Sequence, residues 1–416
     1  MEEGAPSPLS PYRALDLTDA KGFLCGCILA GLGADVIKVE RPGGDPSRNT
    51  APFYQDVPHP ERSLYWFAYN GGKRGITLNL ESPQGRDIFK RLVETSDFVI
   101  ESYPPGYLEG LGLGYSSLAR TKPGLIMTSI SAYGQSGPYR DFKTSDLVAM
   151  AMGGLMHCIG DPDRPPVRIS APQAFLHAGA HAAAGTLIAH YHSQETGEGQ
   201  QVDVSVQEAV LRTLLGEPVH WEFAGEVVHR AGPKVRRGAV IQREIWPCKD
   251  GFVGLRIPSG RMAERGIKPL VEWIKEEGVA GELAKVEDWR GLELTALSQE
   301  VNDGWEDAIY RFFLTRTKAE LHREGAKRRI ILLVGNTPGE LRGQPQLAAR
   351  EFWVRVEHSE LGTALDYPGA PFRLSETPWR VARRAPLIGE HNQEVYAREL
   401  GFSRDKISQL QEDHII

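Results

Sequence analysis

Apolar and polar positions alternate between two periods along the first 130 residues. "RALDLT" (13–18) is a short apolar run that reads as a strand, and "KGFLCGCILAGLG" as a helix of small residues stopped at Gly33. "ADVIKVE" is a second strand, closed by "RPGGD", so one βαβ unit fits into about 30 residues. "GITLNL" (75–80), "DFVIESY" and "LIMTSIS" read as further strands. Between the first two lies "ESPQGRDIFKRLVETS", a helix with Ser82 as N-cap and Pro83 at its first position. Repeated βα units predict a mainly parallel sheet covered by helices, with ligands bound beyond the carboxyl ends of the strands.

The pattern changes in the middle. "GQQVDVSVQEAVL" (199–211) passes from turn to strand to amphipathic helix. "RRGAVIQREIWPCKDGFVGLRIP" then reads as two strands joined at Lys249-Asp250-Gly251, an antiparallel hairpin. Charged helical stretches follow from about 261 to 327, and after Gln344 the chain again resembles its first half. The expected organisation is α/β. A large domain begins over 1–205, a linker spans 206–235, a smaller α+β domain spans 236–330, and 331–416 returns to the large domain.

Composition narrows the class. The 416 residues favour two domains, and 41% hydrophobic with 25% charged residues is ordinary globular usage. A net charge of -6 argues against nucleic acid as partner. The sequence has no run of 18 apolar residues and no signal-peptide pattern at Met1 to Ser10, so a cytoplasmic protein away from membranes is expected. Cys25, Cys27, Cys158 and Cys248 are too scattered for a disulfide framework or a zinc site and read as buried thiols. His177 and His181, one helical turn apart, lack an H-E-x-x-H context and a third ligand, so packing is expected rather than a metal.

Candidate chemistry sits in the loops. Arg41, Lys73 and Arg74 flank strands beside Gly43, Gly44, Gly71 and Gly72, a pattern suited to an anionic nucleotide. The dinucleotide fingerprint is absent after the first strand. Gly110-x-Gly112-x-Gly114 stands in a later turn, and Glu40 reads as structural. A second focus is "APQAFLHAGAHAAAG" (171–185), a small-residue helix with Phe175 in its first turn.

"LGADVIKVERPGGDPSR", "NGGKRGITLNL", "GYLEGLGLGY", "SISAYGQSGPY", "GQQVDVSVQEAVL", "YPGAPFRLSETP" and "APLIGEHNQEV" together resemble, in order, the class III coenzyme A transferases. That family includes formyl-CoA and carnitine CoA-transferases, with α-methylacyl-CoA racemase a relative. The resemblance implies a large Rossmann-like domain built from both chain ends, a smaller domain from the middle, and two chains interlocked as rings. It also implies a carboxylate nucleophile. An aspartate at the start of the "GxHAAxG" helix attacks the acyl-CoA thioester and forms a mixed anhydride; returning thiolate then gives an aspartyl thioester, and the acyl group is exchanged.

Phe175 occupies the place of that aspartate. The expectation is that this chain has no catalytic residue of its own and carries no acyl intermediate. Asp161 and Asp163 read as turn residues, and Glu217 and Glu222 lie beyond the following helix. Proton exchange of the racemase kind also lacks its partners, because Ser145 and Phe175 stand at both positions. For CoA, the resemblance matches Arg41, Lys73 and Tyr103 to the nucleotide site, and the loop pattern adds Arg74; Ser102, also a candidate contact, stands where formyl-CoA transferase has asparagine, and Gly110 where it has a phosphate-binding arginine.

The chain thus resembles the aspartate-lacking subunit of heteromeric members of the family. Those members move CoA from an acyl-CoA such as succinyl-CoA to an acid such as benzylsuccinate in anaerobic toluene degradation. The partner expected is a homologous catalytic subunit; acyl-CoA is expected as substrate, with no covalently bound cofactor. Two other functions suit the same residues: a non-catalytic acyl-CoA sensor or scaffold, and a lyase or hydratase acting on CoA thioesters.

Overall fold

The computed structural model describes residues 7–237, 240–381 and 383–416. Six parallel strands form the main sheet: β1 (Arg13–Leu17), β2 (Asp35–Glu40), β3 (Arg74–Thr77), β4 (Phe98–Glu101), β5 (Ile126–Ser131) and β6 (Gln201–Ser205). Their order is β3-β2-β1-β4-β5-β6. Leu15 at the centre pairs with Ile37 on one side and Val99 on the other, and all three are fully buried. Strands covered on both faces need such continuous apolar runs. Chain order reverses between β1 and β4, which opens a crevice at their carboxyl ends.

Nine helices of this part matter below: α1 (Phe23–Gly31), α2 (Leu64–Asn70), α3 (Pro83–Glu94), α4 (Tyr107–Gly110), α5 (Tyr115–Thr121), α6 (Asp146–Met152), α7 (Ala174–Thr196), α8 (Val206–Leu211) and α9 (Gly216–Ala224). Ser82 caps α3, its Oγ accepting from the N–H of Gly85 at 2.9 Å. α1 packs directly on α7. A Cβ added at Gly179 would lie 2.9 Å from the Leu24 Cβ, so the small residues of α7 are what lets the two backbones approach.

The far end of the chain is stitched onto this sheet. Pro386 O accepts from Arg48 Nη2 at 2.9 Å and from the Trp66 indole at 3.1 Å. The Gly75 N–H donates to His391 Nδ1 at 3.1 Å, Asn392 bonds both the Thr77 N–H and its hydroxyl at 2.9 Å, and the Tyr396 hydroxyl donates to Thr77 O at 2.6 Å. A hairpin of β12 (Trp353–His358) and β13 (Thr363–Pro368) belongs to the same unit.

The chain divides into two compact units, Met1–Met156 with Arg168–Phe223 and Ala348–Ile416, and His157–Val167 with Ala224–Leu347. This differs from the sequence-based boundaries in three places. Residues 206–223, read as linker, join the larger unit because Val206, Ala209 and Val210 are buried there. Residues 157–167 join the smaller unit, where Gly160 O accepts from the Gly232 N–H at 2.9 Å. The smaller unit, which holds the antiparallel pair β7 (Lys234–Arg237) and β8 (Val240–Arg243), also runs past 330, because β11 (Leu332–Gly335) pairs with β10 (Gly251–Leu255) in an antiparallel sheet with β9 (Ile245–Cys248). The turn at Lys249-Asp250 closes that hairpin, and Trp246, Trp273, Trp289, Trp305, Phe312 and Phe313 fill the core beneath it. Gly238 and Ala239, within the first strand of the sequence-based hairpin, lie outside the described residues. Among the described residues no helix is long and apolar enough to cross a membrane.

Candidate active site

The crevice between β1 and β4 is bridged by one serine. Ser102 Oγ accepts from the Asp19 N–H at 2.7 Å and donates to Asp19 Oδ1 at 2.9 Å, tying the loop after β4 to the loop after β1. Lys21 pairs with the other carboxylate oxygen of Asp19. From below, the buried Lys38 ammonium donates to the backbone carbonyl of Thr18 and, at 3.3 Å, to that of Asp16. The loop that carries Asp19 is therefore fixed by polar contacts on both sides. Ser102, expected to touch nucleotide, instead spends its hydroxyl inside the protein, where it is buried.

Lys73 and Arg74 depart further from expectation. The Lys73 ammonium is fully buried, with Asp16 Oδ2 at 2.7 Å, Asn70 Oδ1 at 2.8 Å and Phe23 O at 3.0 Å. An ammonium has three protons, and all three are used. Burial alone would raise the Asp16 carboxyl pKa, but Lys73 and Lys38 outweigh it and hold the group below the usual range. Arg74 is shared among Asp35, Glu394 and Glu399 at 2.5–2.8 Å. Buried charges need partners, and these two cations have found theirs in the fold, leaving neither free for a phosphate.

Arg41 and Tyr103 do line a common cavity of about 570 Å3 at the carboxyl ends of β2 and β4, with Tyr107, Glu81 and His414. Tyr103 and Tyr107 stack with ring centroids 4.6 Å apart. Glu101 sits beneath them and accepts from the Tyr103 N–H at 2.7 Å. Burial pushes the Glu101 carboxyl up to about 7, against the opposing hydrogen bonds from Ser129 and Tyr103. Gly110 follows on α4, with open space where a side chain would begin.

The second focus lies at the start of α7. Phe175 is half-buried, and its N–H donates to Asp146 Oδ1 at 3.3 Å. Asp146 opens α6 behind the N-cap Ser145, whose Oγ accepts from the Val148 N–H. The sequence reading weighed Asp161, Asp163, Glu217 and Glu222 as replacement acids and missed the one that touches the position. Asp161 instead closes a turn of the smaller unit, and its carbonyl accepts from Arg230; Glu217 and Glu222 lie on α9. Two tyrosines one turn apart on α2 report the surroundings. Burial and then Tyr69, Asp146, Asp19 and Asp45 push the Tyr65 phenol up to about 12.

Other nucleophiles are quiet. Burial raises the Cys25 thiol to about 12 and raises Cys27 as well, so both stay protonated. His177 is held below the usual imidazole range by burial and then by His181. Among the described residues no group of three His, Cys, Asp or Glu could hold a metal ion. The site thus has acids, aromatic platforms and a nucleotide-sized cavity, and a phenyl ring where the long helix begins.

Residues 9–392 match the family described as CoA-transferase family III. The chain is 36% identical to the succinyl-CoA:(R)-benzylsuccinate CoA-transferase subunit BbsE of Thauera aromatica, over 96% of each chain. It is 32% identical to the succinyl-CoA–D-citramalate CoA-transferase of Chloroflexus aurantiacus, over 99% of this chain and 98% of that one. A CAIB/BAIF family protein from Brucella suis superposes with a TM-score of 0.80 at 28% identity, covering 94% of this chain and 99% of that one.

Proposed function

The chain belongs to CoA-transferase family III, and from that premise we propose that it is the non-nucleophilic subunit of a heteromeric CoA-transferase of the cytoplasm. One observation carries the proposal: the position that the family's nucleophile would take, at the start of α7, holds Phe175. A phenyl ring has no lone pair to attack a thioester and no proton to exchange. The transferred acyl group then resides on an aspartate of a homologous partner chain, and this chain supplies scaffold and walls to the shared assembly. The BbsE relative, itself named as a subunit, supports both the heteromer and the substrates, succinyl-CoA as donor and benzylsuccinate or a similar acid as acceptor.

The test is reconstitution. The purified chain should show no CoA transfer by itself and gain it when mixed with a homologue that carries the aspartate. After incubation with acyl-CoA and then hydroxylamine, mass spectrometry should find the partner's aspartate modified and residues 171–185 of this chain untouched. Turnover by the single chain, or modification of its Asp146, would overturn the proposal and make the acid beside Phe175 the nucleophile.

A further inference from the structure

The cavity at the ends of β2 and β4 has an aromatic platform that is already covered. A flat aromatic face beside a cation, at the carboxyl end of a parallel sheet, is chemistry suited to the base of a nucleotide. Tyr103 offers such a face. Its position is set by its backbone N–H bonded to Glu101 and by packing against the main hydrophobic core. Yet Tyr107 lies stacked on it, centroids 4.6 Å apart and planes 29° from parallel. The hydroxyl of Tyr107 donates to Glu81 Oε1 at 2.9 Å, a residue that lines the same cavity from the loop after β3. Burial and then Glu81 push that phenol up to about 12, so it stays a donor at any physiological pH. Directly before Tyr107 stands Gly106, at a left-handed φ of 85°, and α4 is one turn long. Both rings pack against the main core, but the covering ring rests on a short element beside a permissive joint, while the ring beneath it is also held by its backbone bond to Glu101.

We propose that Tyr107, latched by Glu81, is a self-occluding plug that occupies the purine platform of Tyr103 and sets the affinity of this chain for adenine-containing ligands. A base enters by releasing the Tyr107–Glu81 hydrogen bond and taking the place of one aromatic ring on the other. The inference rests on the reading of this cavity as the coenzyme A nucleotide site, and it goes beyond that reading by making the site closed at rest.

The experiment is calorimetric titration of the full chain with CoA, with adenosine 3′,5′-bisphosphate, and with pantetheine, which has no base. Tyr107→Ala should tighten CoA and the bisphosphate about tenfold, within the range that one base–aromatic stack supplies, and leave pantetheine unchanged. Tyr107→Phe and Glu81→Ala keep the ring and remove only the latch, so each should tighten the two nucleotides by about twofold to threefold. Adding Tyr103→Ala to Tyr107→Ala should abolish the gain. Equal or weaker nucleotide binding by Tyr107→Ala, with wild type still binding CoA, would overturn the plug alone. No nucleotide binding by wild type or by any folded variant would overturn the plug and the nucleotide reading together.

Discussion

Phe175→Asp restores the family's nucleophile in name, and the surroundings predict that it will not restore the reaction. The new carboxylate would begin α7 beside Asp146, whose Oδ1 already lies 3.3 Å from the N–H of that residue. Two carboxylates about 6 Å apart repel by about 2.8 kcal/mol at an effective dielectric constant of about 20, equivalent to about two pKa units. The amino end of a 23-residue helix returns only about 0.3–1 kcal/mol of that. The net upward shift of one to two units still leaves the group ionised at pH 8 but not fully so at pH 6. Loss of a half-buried ring costs roughly half the 3–5 kcal/mol of a fully buried one. A carboxylate also needs a thioester held against it and donors aimed at the developing oxyanion, and missing preorganisation of this kind costs about a hundredfold or more in rate. The assay places Phe175→Asp in a complex whose partner has lost its own aspartate, with chemical denaturation run in parallel. Turnover should stay below about 1% of the parent rate at pH 7 and should rise with pH as the new group ionises. Recovery to near the parent rate at pH 7, where the new group would already be mostly ionised, would show that the site lacks only this one side chain, and the reasoning from missing preorganisation would be wrong.

Three further outcomes follow from buried charge. Asp16→Asn leaves the buried ammoniums of Lys73 and Lys38 without their carboxylate and should cost about 3–5 kcal/mol in denaturant titrations; a loss under about 1 kcal/mol would mean that water or carbonyls already compensate them. Because the Asp16 pKa is lowered in the folded chain, its contribution is present above the unfolded value of 3.8 and fades as pH falls through the lower folded value, so the acid limb of the stability curve should flatten in the same variant. Glu101 has the opposite sign. With its folded pKa raised from 4.5 to about 7, the folded state holds a proton that the unfolded state has released, and stability should fall as pH rises between those values; Glu101→Gln should remove that slope, and an unchanged slope would assign it elsewhere. Ser102→Ala unties Asp19 from the loop after β4 and should cost about 1–2 kcal/mol, read as a lowered denaturation midpoint and faster amide exchange at Asp19.

What could be read along the chain was what neighbours in sequence decide. Ser82 and Pro83 begin a helix because a cap acts over three residues, and Lys249-Asp250 turn a hairpin because the turn is local. The parallel sheet followed from the same local periodicities. That Phe175 stands in the first turn of a helix was legible because that place is counted along one element. Lys73 and Arg74 were misread for the converse reason. Beside glycines they look like phosphate ligands, but their partners are Asp16, 57 residues away, and Glu399, 325 residues away. Asp146 was not weighed as an acid beside Phe175 because it meets that residue from another helix, 29 residues upstream. The stack of Tyr107 on Tyr103 was not legible, because Tyr103 lies in the loop before α4, and the latch depends on Glu81 from a different loop.

The stitching of residues 386–399 onto β3 also has a meaning in time. Arg48 and Trp66 are among the early residues to leave the ribosome, yet the carbonyl that both require belongs to Pro386, 338 residues after Arg48. At a synthesis rate of about 5–20 residues per second, the growing chain waits roughly 20–70 s before that acceptor exists. During this interval the outer strand of the nascent sheet has no cover over Gly75 and Thr77, and the Arg48 guanidinium has Glu40, Glu61 and the Trp66 ring but not its carbonyl. Ribosome-stalled chains ending before 386 should therefore be protease-sensitive around β3 and bind chaperones, while chains extended past 399 should not. The larger unit is a fold that closes from its last-made part, and its yield in a cell depends on how well its first half is sheltered until then.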